Sequence, residues 1–267
     1  MDFGISTRCF GTTTLTPNLL DRLLRAGFQR VELHAAVPGY DYRNRSTVRG
    51  IARWFLDNGL PAPSLHLPYE KDLLASSAAE RQLAIDDTKR SLELADLLAV
   101  DFVVLHLGVP GQTFNPVLFD RAYSAVAAIQ AFSGVRVLLE TLSNEIATPE
   151  RLAEFRIAAQ LPQIGICYDT AHGEMAGSID AIHLNDRGKE DTRVWPFEGT
   201  RNWPALVERL ALAGFAGPAI LEAEDDRLEK AVDARSRLTD LMAEAADSVE
   251  EFRLKYKLPF PKSEDEE

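Results

Sequence analysis

Val135-Arg136-Val137-Leu138-Leu139-Glu140-Thr141, then Thr148-Pro149 heading an amphipathic stretch to Gln160, then Ile164-Gly165-Ile166-Cys167-Tyr168-Asp169, read as strand, helix, strand. Both apolar runs are short and nearly continuous, as expected of strands buried on both faces. Thr148 is a natural N-cap, and proline at the first helical position needs no amide donor. A helix joining two such strands makes them parallel. Each run closes on an acid, Glu140 or Asp169.

The same unit recurs outward in both directions. Strands are predicted at Phe3–Ser6, Arg30–Leu33, Pro63–Leu67, Phe102–Leu107, Val135–Thr141, Ile164–Asp169, Ile179–Leu184 and Pro218–Glu222. Helices are predicted at Pro17–Ala26, Thr47–Asn58, Ala78–Leu98, Pro116–Phe132, Pro149–Gln160 and Trp203–Ala213. Thr16-Pro17 and Asn115-Pro116 repeat the start signal, and Gly27, Gly59 and Gly214 follow helix ends, where a left-handed residue is often needed. Eight strands alternating with helices close most simply into an α/β (β/α)8 TIM barrel, which takes about 250 residues. The chain has 267. One unit is irregular: His183 comes only 14 residues after Asp169, which leaves too little chain for a full crossover helix, so the sixth βα unit is expected to be shortened. A long C-terminal helix is expected over Leu228–Lys257. Residues 1–258 form one barrel domain in this reading, and 259–267 an acidic, frayed tail.

Composition removes other classes. With 46% hydrophobic and 26% charged residues the chain is that of an ordinary globular protein. Met1-Asp2-Phe3-Gly4 lacks the cationic start of a signal peptide, and no apolar run approaches the roughly 20 residues of a membrane span. The expectation is a cytoplasmic protein without membrane partners. Cys9 and Cys167 cannot make a paired-cysteine zinc site. Lys and Arg number 29 against 41 Asp and Glu, a net charge of −12, which argues mildly against nucleic acid as a partner.

What ends each strand carries the functional signal. His34, His66, His106, Glu140, Asp169, His183 and Glu222 all stand at or just after carboxyl ends, which converge on the mouth where barrel active sites are built. Ionisable groups there would cost several kcal/mol each without partners, about the scale at which a bound cation becomes the simplest answer. His, Asp and Glu without thiolates suit Zn, Mn, Co or Fe(II), and the carboxylate share admits Mg. His34 is read as a hydrogen-bonded structural residue. Glu32 is either a substrate-facing acid or a salt-bridged barrel residue. Trp195 and Phe197 are candidates for an aromatic wall over the site, Trp203 for packing the next helix, and Glu224 to Asp226 for a solvated loop.

Ser64-Leu65-His66-Leu67-Pro68-Tyr69, Leu105-His106-Leu107-Gly108, Leu139-Glu140-Thr141, Tyr168-Asp169-Thr170-Ala171-His172, Ile182-His183-Leu184-Asn185-Asp186 and Leu221-Glu222 together resemble the xylose isomerase-like barrel superfamily. Its members include sugar phosphate isomerases and epimerases, ketose 3-epimerases, inosose dehydratases and endonuclease IV. The resemblance implies one divalent metal ion (Mn, Zn, Co or Mg) held by Glu140, Asp169, His183 and Glu222. It implies a second metal at His66 and His106 in the endonuclease branch, and substrate contacts there in the epimerase branch. A third endonuclease metal would need an Asp-x-His pair, which here reads Asp191-Thr192-Arg193; a guanidinium cannot ligate a cation.

The expected function is that of a metal-dependent sugar or sugar phosphate isomerase or epimerase, acting by proton abstraction beside a carbonyl through an enediolate. Glu140 and Glu222 are the expected proton-transfer residues. His66, His106, His172, Arg187, Arg193 and Trp195 are the expected substrate contacts, the arginines suiting a distal anion. The alternatives are an endonuclease IV-like phosphodiesterase, with Arg43, Arg45 and Arg49 as its best basic rim, a lyase or dehydratase sharing the first step, and a non-catalytic ligand-binding barrel. Oligomeric state stays open, barrels of the superfamily often pairing through helices.

Overall fold

The computed structural model describes residues 2–11, 13–36, 41–161, 163–189 and 192–256. Asp191 and the acidic tail 259–267 lie outside them. Eight parallel strands close into a barrel: β1 (Asp2–Ser6), β2 (Arg30–His34), β3 (Ser64–His66), β4 (Phe102–Leu105), β5 (Arg136–Glu140), β6 (Ile164–Asp169), β7 (Ala181–Leu184) and, after two short strands described below, β10 (Pro218–Leu221). β1 pairs with both β2 and β10, which closes the ring. This is a TIM barrel.

The predicted helices are present as α1 (Pro17–Arg25), α2 (Arg45–Asp57), α3 (Ala78–Leu98), α4 (Pro116–Gln130), α5 (Pro149–Ala159) and α6 (Trp203–Leu212), followed by α7 (Leu228–Tyr256). Their caps explain their starts. The side chains of Thr16, Asn115, Thr148 and Asn202 each accept the backbone N–H three residues on, with proline in the first turn. α2 begins two residues before its predicted start because Asn44 Oδ1 accepts the amides of both Ser46 and Thr47. No helix lies between β6 and β7, as the short spacing requires. No helix among the described residues is long and apolar enough to cross a membrane.

The register of the strands lifts the polar residues to one level. Phe102, Val104, Leu138, Cys167 and Ala181 form a small apolar cluster separate from the main core. Side chains alternate along a strand, so two residues beyond an inward position is again inward. That rule carries Val104 to His106, Leu138 to Glu140, Cys167 to Asp169 and Ala181 to His183. The apolar cluster is the floor of the barrel interior and the ionisable residues are the layer above it. His106 falls just beyond the end of β4, which stops short of its predicted limit, and Glu222 just beyond β10.

Two short strands were not anticipated. β8 (Asp186–Arg187) and β9 (Arg193–Val194) form an antiparallel hairpin in which Arg187 faces Arg193. Asp186 anchors it: buried Oδ1 accepts the amides of Arg187 and Arg201 at 2.8 and 3.0 Å, and Oδ2 accepts Trp203 Nε1 at 2.8 Å. Trp203 thus opens α6 from inside the fold.

Candidate metal centre and active site

Glu140, Asp169, His183 and Glu222 come from four consecutive barrel strands and are all at most 1% exposed. They offer ligand atoms that all lie within 4.8 Å of one another. His183 Nδ1 lies 3.3 Å from Glu140 Oε1 and 3.4 Å from Glu222 Oε2. Asp169 Oδ1 accepts from Ala171 N and Asn185 Nδ2, whereas Asp169 Oδ2 and both oxygens of Glu222 have no hydrogen bond. Ion pairs with Arg193, Arg8 and His183 offset part of the several kcal/mol, on the order expected for burying such carboxylates, and a divalent cation would offset the rest. Three carboxylates and an imidazole in such a knot fit a divalent ion of the Mn, Zn, Co or Mg kind.

His66 and His106 form a second group around the same acid. Their Nε2 atoms lie 2.9 and 2.8 Å from Glu140 Oε2. His66 Nδ1 donates to the carbonyl of Leu67 at 2.9 Å, which points Nε2 into the site. Electrostatics ties the cluster together. Burial works against charge on Glu140 and Glu222, but His106 and His183 around the first, and Arg8 and His183 around the second, hold both carboxyls well below their usual range. Burial likewise opposes protonation of His183, yet Cys167, Glu32, Glu140 and Glu222 outweigh it and raise its pKa well above the ordinary value.

Above this layer opens a cavity of about 620 Å³, bordered by His106 and His172 and by three arginines, Arg8, Arg187 and Arg193. His172 Nδ1 donates to the carbonyl of Thr141 at 2.8 Å. Arg193 approaches Asp169 Oδ2 at 3.3 Å, and its buried Nε has no hydrogen-bond partner. Trp195 stands elsewhere: it is 1% exposed, belongs to the main core and does not line the cavity. Phe197 rings Trp203 at 5.4 Å and carries the guanidinium of Arg237 at 3.9 Å.

Arg8 and Tyr69 also border the cavity, and neither was expected as a substrate contact. Arg8, just past β1, lies 3.7 Å from Glu222 Oε2 and 3.5 Å from Glu224 Oε1. Tyr69 stacks on His106 with centroids 4.6 Å apart. Its place in the turn after β3 was a signal; Arg8 carried none beyond following a strand. Glu224 accordingly borders the cavity besides being exposed. Glu32 takes the salt-bridged alternative, fully buried with Oε1 3.1 Å from His183 Nε2. His34 packs edge-on to His66 at 5.2 Å, its Nε2 unbonded. Burial first, then the neighbouring His66, push its pKa down to about 3. The basic residues after β2 meet acids on α3, Arg43 with Asp87 and Arg45 with Glu93, outside the cavity wall.

Comparison with solved structures places this fold among known barrels. A D-tagatose 3-epimerase-like protein superposes with a TM-score of 0.78 over 93% of this chain and 100% of its own, at 19% identity. An L-ribulose 3-epimerase gives 0.76, covering 93% and 96%, also at 19%. The IOLI protein, crystallised with a bound zinc atom, gives 0.72 over 92% and 99%, at 18%. At these identities the likeness is one of fold. Among curated sequences, an uncharacterized protein y4fM of Sinorhizobium fredii (strain NBRC 101917 / NGR234) is 26% identical over 66% of this chain and 67% of its own length. A probable endonuclease 4 of Natronomonas pharaonis is 27% identical over 51% of this chain and 47% of its own. The family model described as xylose isomerase-like TIM barrel matches residues 20–252, and the chain belongs to that family.

Proposed function

We propose that the protein is a metal-dependent isomerase or epimerase of a small polyhydroxylated carbonyl compound, sugar or sugar phosphate. The observation that carries this reading is the knot of Glu140, Asp169, His183 and Glu222 beneath an arginine-bordered cavity, with the oxygens of Glu222 making no hydrogen bond. A divalent cation held by these four residues would supply Lewis acidity, drawing charge from a carbonyl oxygen. Glu222 takes the proton from the carbon beside that carbonyl; the C–H bond breaks and its electron pair passes into an enediolate. Glu140, from β5 on the other side of the knot, relays a proton from His66, whose Nε2 lies 2.9 Å from Glu140 Oε2, to the opposite face, and the proton held by Glu222 passes to solvent. His172 steadies a substrate oxygen, and the guanidiniums of Arg187 and Arg193 take a distal anion where the substrate carries one.

The test is solvent exchange. In deuterium oxide, candidate ketoses and ketose phosphates should gain deuterium beside the carbonyl, and Glu140→Gln and Glu222→Gln should each reduce the rate by at least about 100-fold, the scale of a lost general base. Undiminished exchange in both variants would overturn the assignment.

A second reading has its own support: His66, His106 and Glu140 form a further potential ligand set, as a two-metal phosphodiesterase would use. It requires two or more cations per chain and nicking of abasic duplex. Arg193 beside Asp169, rather than a histidine ligand, favours the first reading.

A further inference from the structure

We infer that Glu32 is the positioning residue of His183, keeping a proton on Nε2 so that Nδ1 offers its lone pair to a cation held in the carboxylate knot. The inference rests on the reading that Glu140, Asp169, His183 and Glu222 hold a divalent cation. The two ring nitrogens have separate partners. Nε2 lies 3.1 and 3.3 Å from the two oxygens of Glu32, while Nδ1 faces Glu140 and Glu222 at 3.3 and 3.4 Å. A carboxylate can only accept, so when a cation in the knot displaces the proton from Nδ1, the contact with Glu32 keeps the remaining proton on Nε2.

The surrounding sequence is arranged to let Glu32 reach. Ser6, Glu32 and Ser64 are register partners across β1, β2 and β3, so the acid stands between two small side chains. From β2 it meets β7, three strands round the barrel. Ser64 Oγ donates to Glu32 Oε2 at 3.1 Å and fixes the carboxylate in turn. Both acid and imidazole are fully buried. An apolar side chain at this inward position would avoid the cost of a buried charge, and orienting a ligand is what the carboxylate adds.

Zn2+ affinity, measured by competition with a chelating dye on wild type, Glu32→Gln and Ser64→Ala, separates orientation from bulk packing. A glutamine can donate to Nε2 and drive the proton onto Nδ1, so Glu32→Gln should bind Zn2+ about 10- to 100-fold more weakly. Ser64→Ala keeps the charge and should lose affinity by a few-fold, about the low end of such outer-partner effects; it carries the test if Glu32→Gln does not fold. A purely structural role would lower the melting temperature of the metal-free protein and leave the affinity of the folded form unchanged. With 15N-labelled histidine and 113Cd, wild type should show cadmium coupling at Nδ1 of His183 and a retained proton on Nε2. Affinities equal to wild type in every variant that folds, or coupling at Nε2, overturn the inference alone. A wild-type protein that binds no Zn2+ overturns it together with the metal reading.

Discussion

Both carboxylate oxygens of Glu222 are buried without a hydrogen bond, and Oε2 stands 3.4 Å from Nδ1 of His183. In a metal-free protein the two groups meet as carboxylate and imidazolium. With a cation present, the same atoms become two of its ligands. Binding should therefore stabilise the fold by mass action, about 2.7 kcal/mol at a free metal concentration 100 times Kd. Thermal unfolding with and without Mn2+ or Zn2+ should show the rise in wild type. Asp169→Asn should abolish most of it, since that acid offers a buried Oδ2 that makes no hydrogen bond.

Arg8 touches Glu222 and Glu224 from the cavity side, 3.7 and 3.5 Å away. Its guanidinium balances charge at the mouth without entering the knot. Arg8→Gln should lower kcat/KM by about tenfold or more, roughly 1.4 kcal/mol, for whichever substrate shows exchange. Steady-state kinetics alongside metal content checks this: the variant should keep its metal.

Asp186 receives three donors at once, from Arg187, Arg201 and Trp203. Asp186→Ala leaves Trp203 Nε1 without an acceptor inside the fold and frees two part-buried amides. Urea denaturation should show a loss of about 3 kcal/mol, the order expected for buried donors left unpaired. Asp186→Asn, which keeps an acceptor oxygen, should lose less.

Asp87 on α3 is met by Lys71 at 3.2 Å and Arg43 at 3.2 Å. Burial favours the neutral acid, but Lys71, Tyr42 and Arg43 outweigh it and lower the pKa below 3.8. A depressed carboxyl contributes stability above its unfolded pKa and loses it as pH falls through the folded value. Asp87→Asn should therefore cost about 1 kcal/mol near pH 7, limited by the exposure of both cations, and the difference from wild type should vanish below the folded pKa. Denaturation across pH 2–7 measures it, pH 7 being the upper reference point.

The barrel was legible because its signals are local. Thr16, Asn115 and Thr148 cap the helices they were expected to cap, and the spacing from Asp169 to His183 forbade a sixth crossover helix. Glu140, Asp169, His183 and Glu222 were legible because each stands at the end of a short apolar run, where barrel strands converge on the mouth, and as a set through the family resemblance. Arg8 was not, because its approach to Glu222 depends on β1 closing against β10 from the far end of the chain. The hairpin of β8 and β9 was too short for any periodicity to show. Glu32 left two readings open because the same buried acid serves either, until the position of His183 Nε2 is known. Trp195 looked like a wall because it follows β7 in sequence, but packing, which sequence order does not encode, puts it in the core.

The central claim is that four buried side chains hold one divalent cation. Elemental analysis of the purified protein, followed by titration of the metal-free form with Zn2+ and Mn2+, tests it most directly, with His183→Ala as the comparison. One cation per chain should bind in wild type, and at least about 100-fold more weakly in the variant, as for a lost metal ligand. A wild-type chain that binds none, or a variant that binds as tightly, would contradict the account.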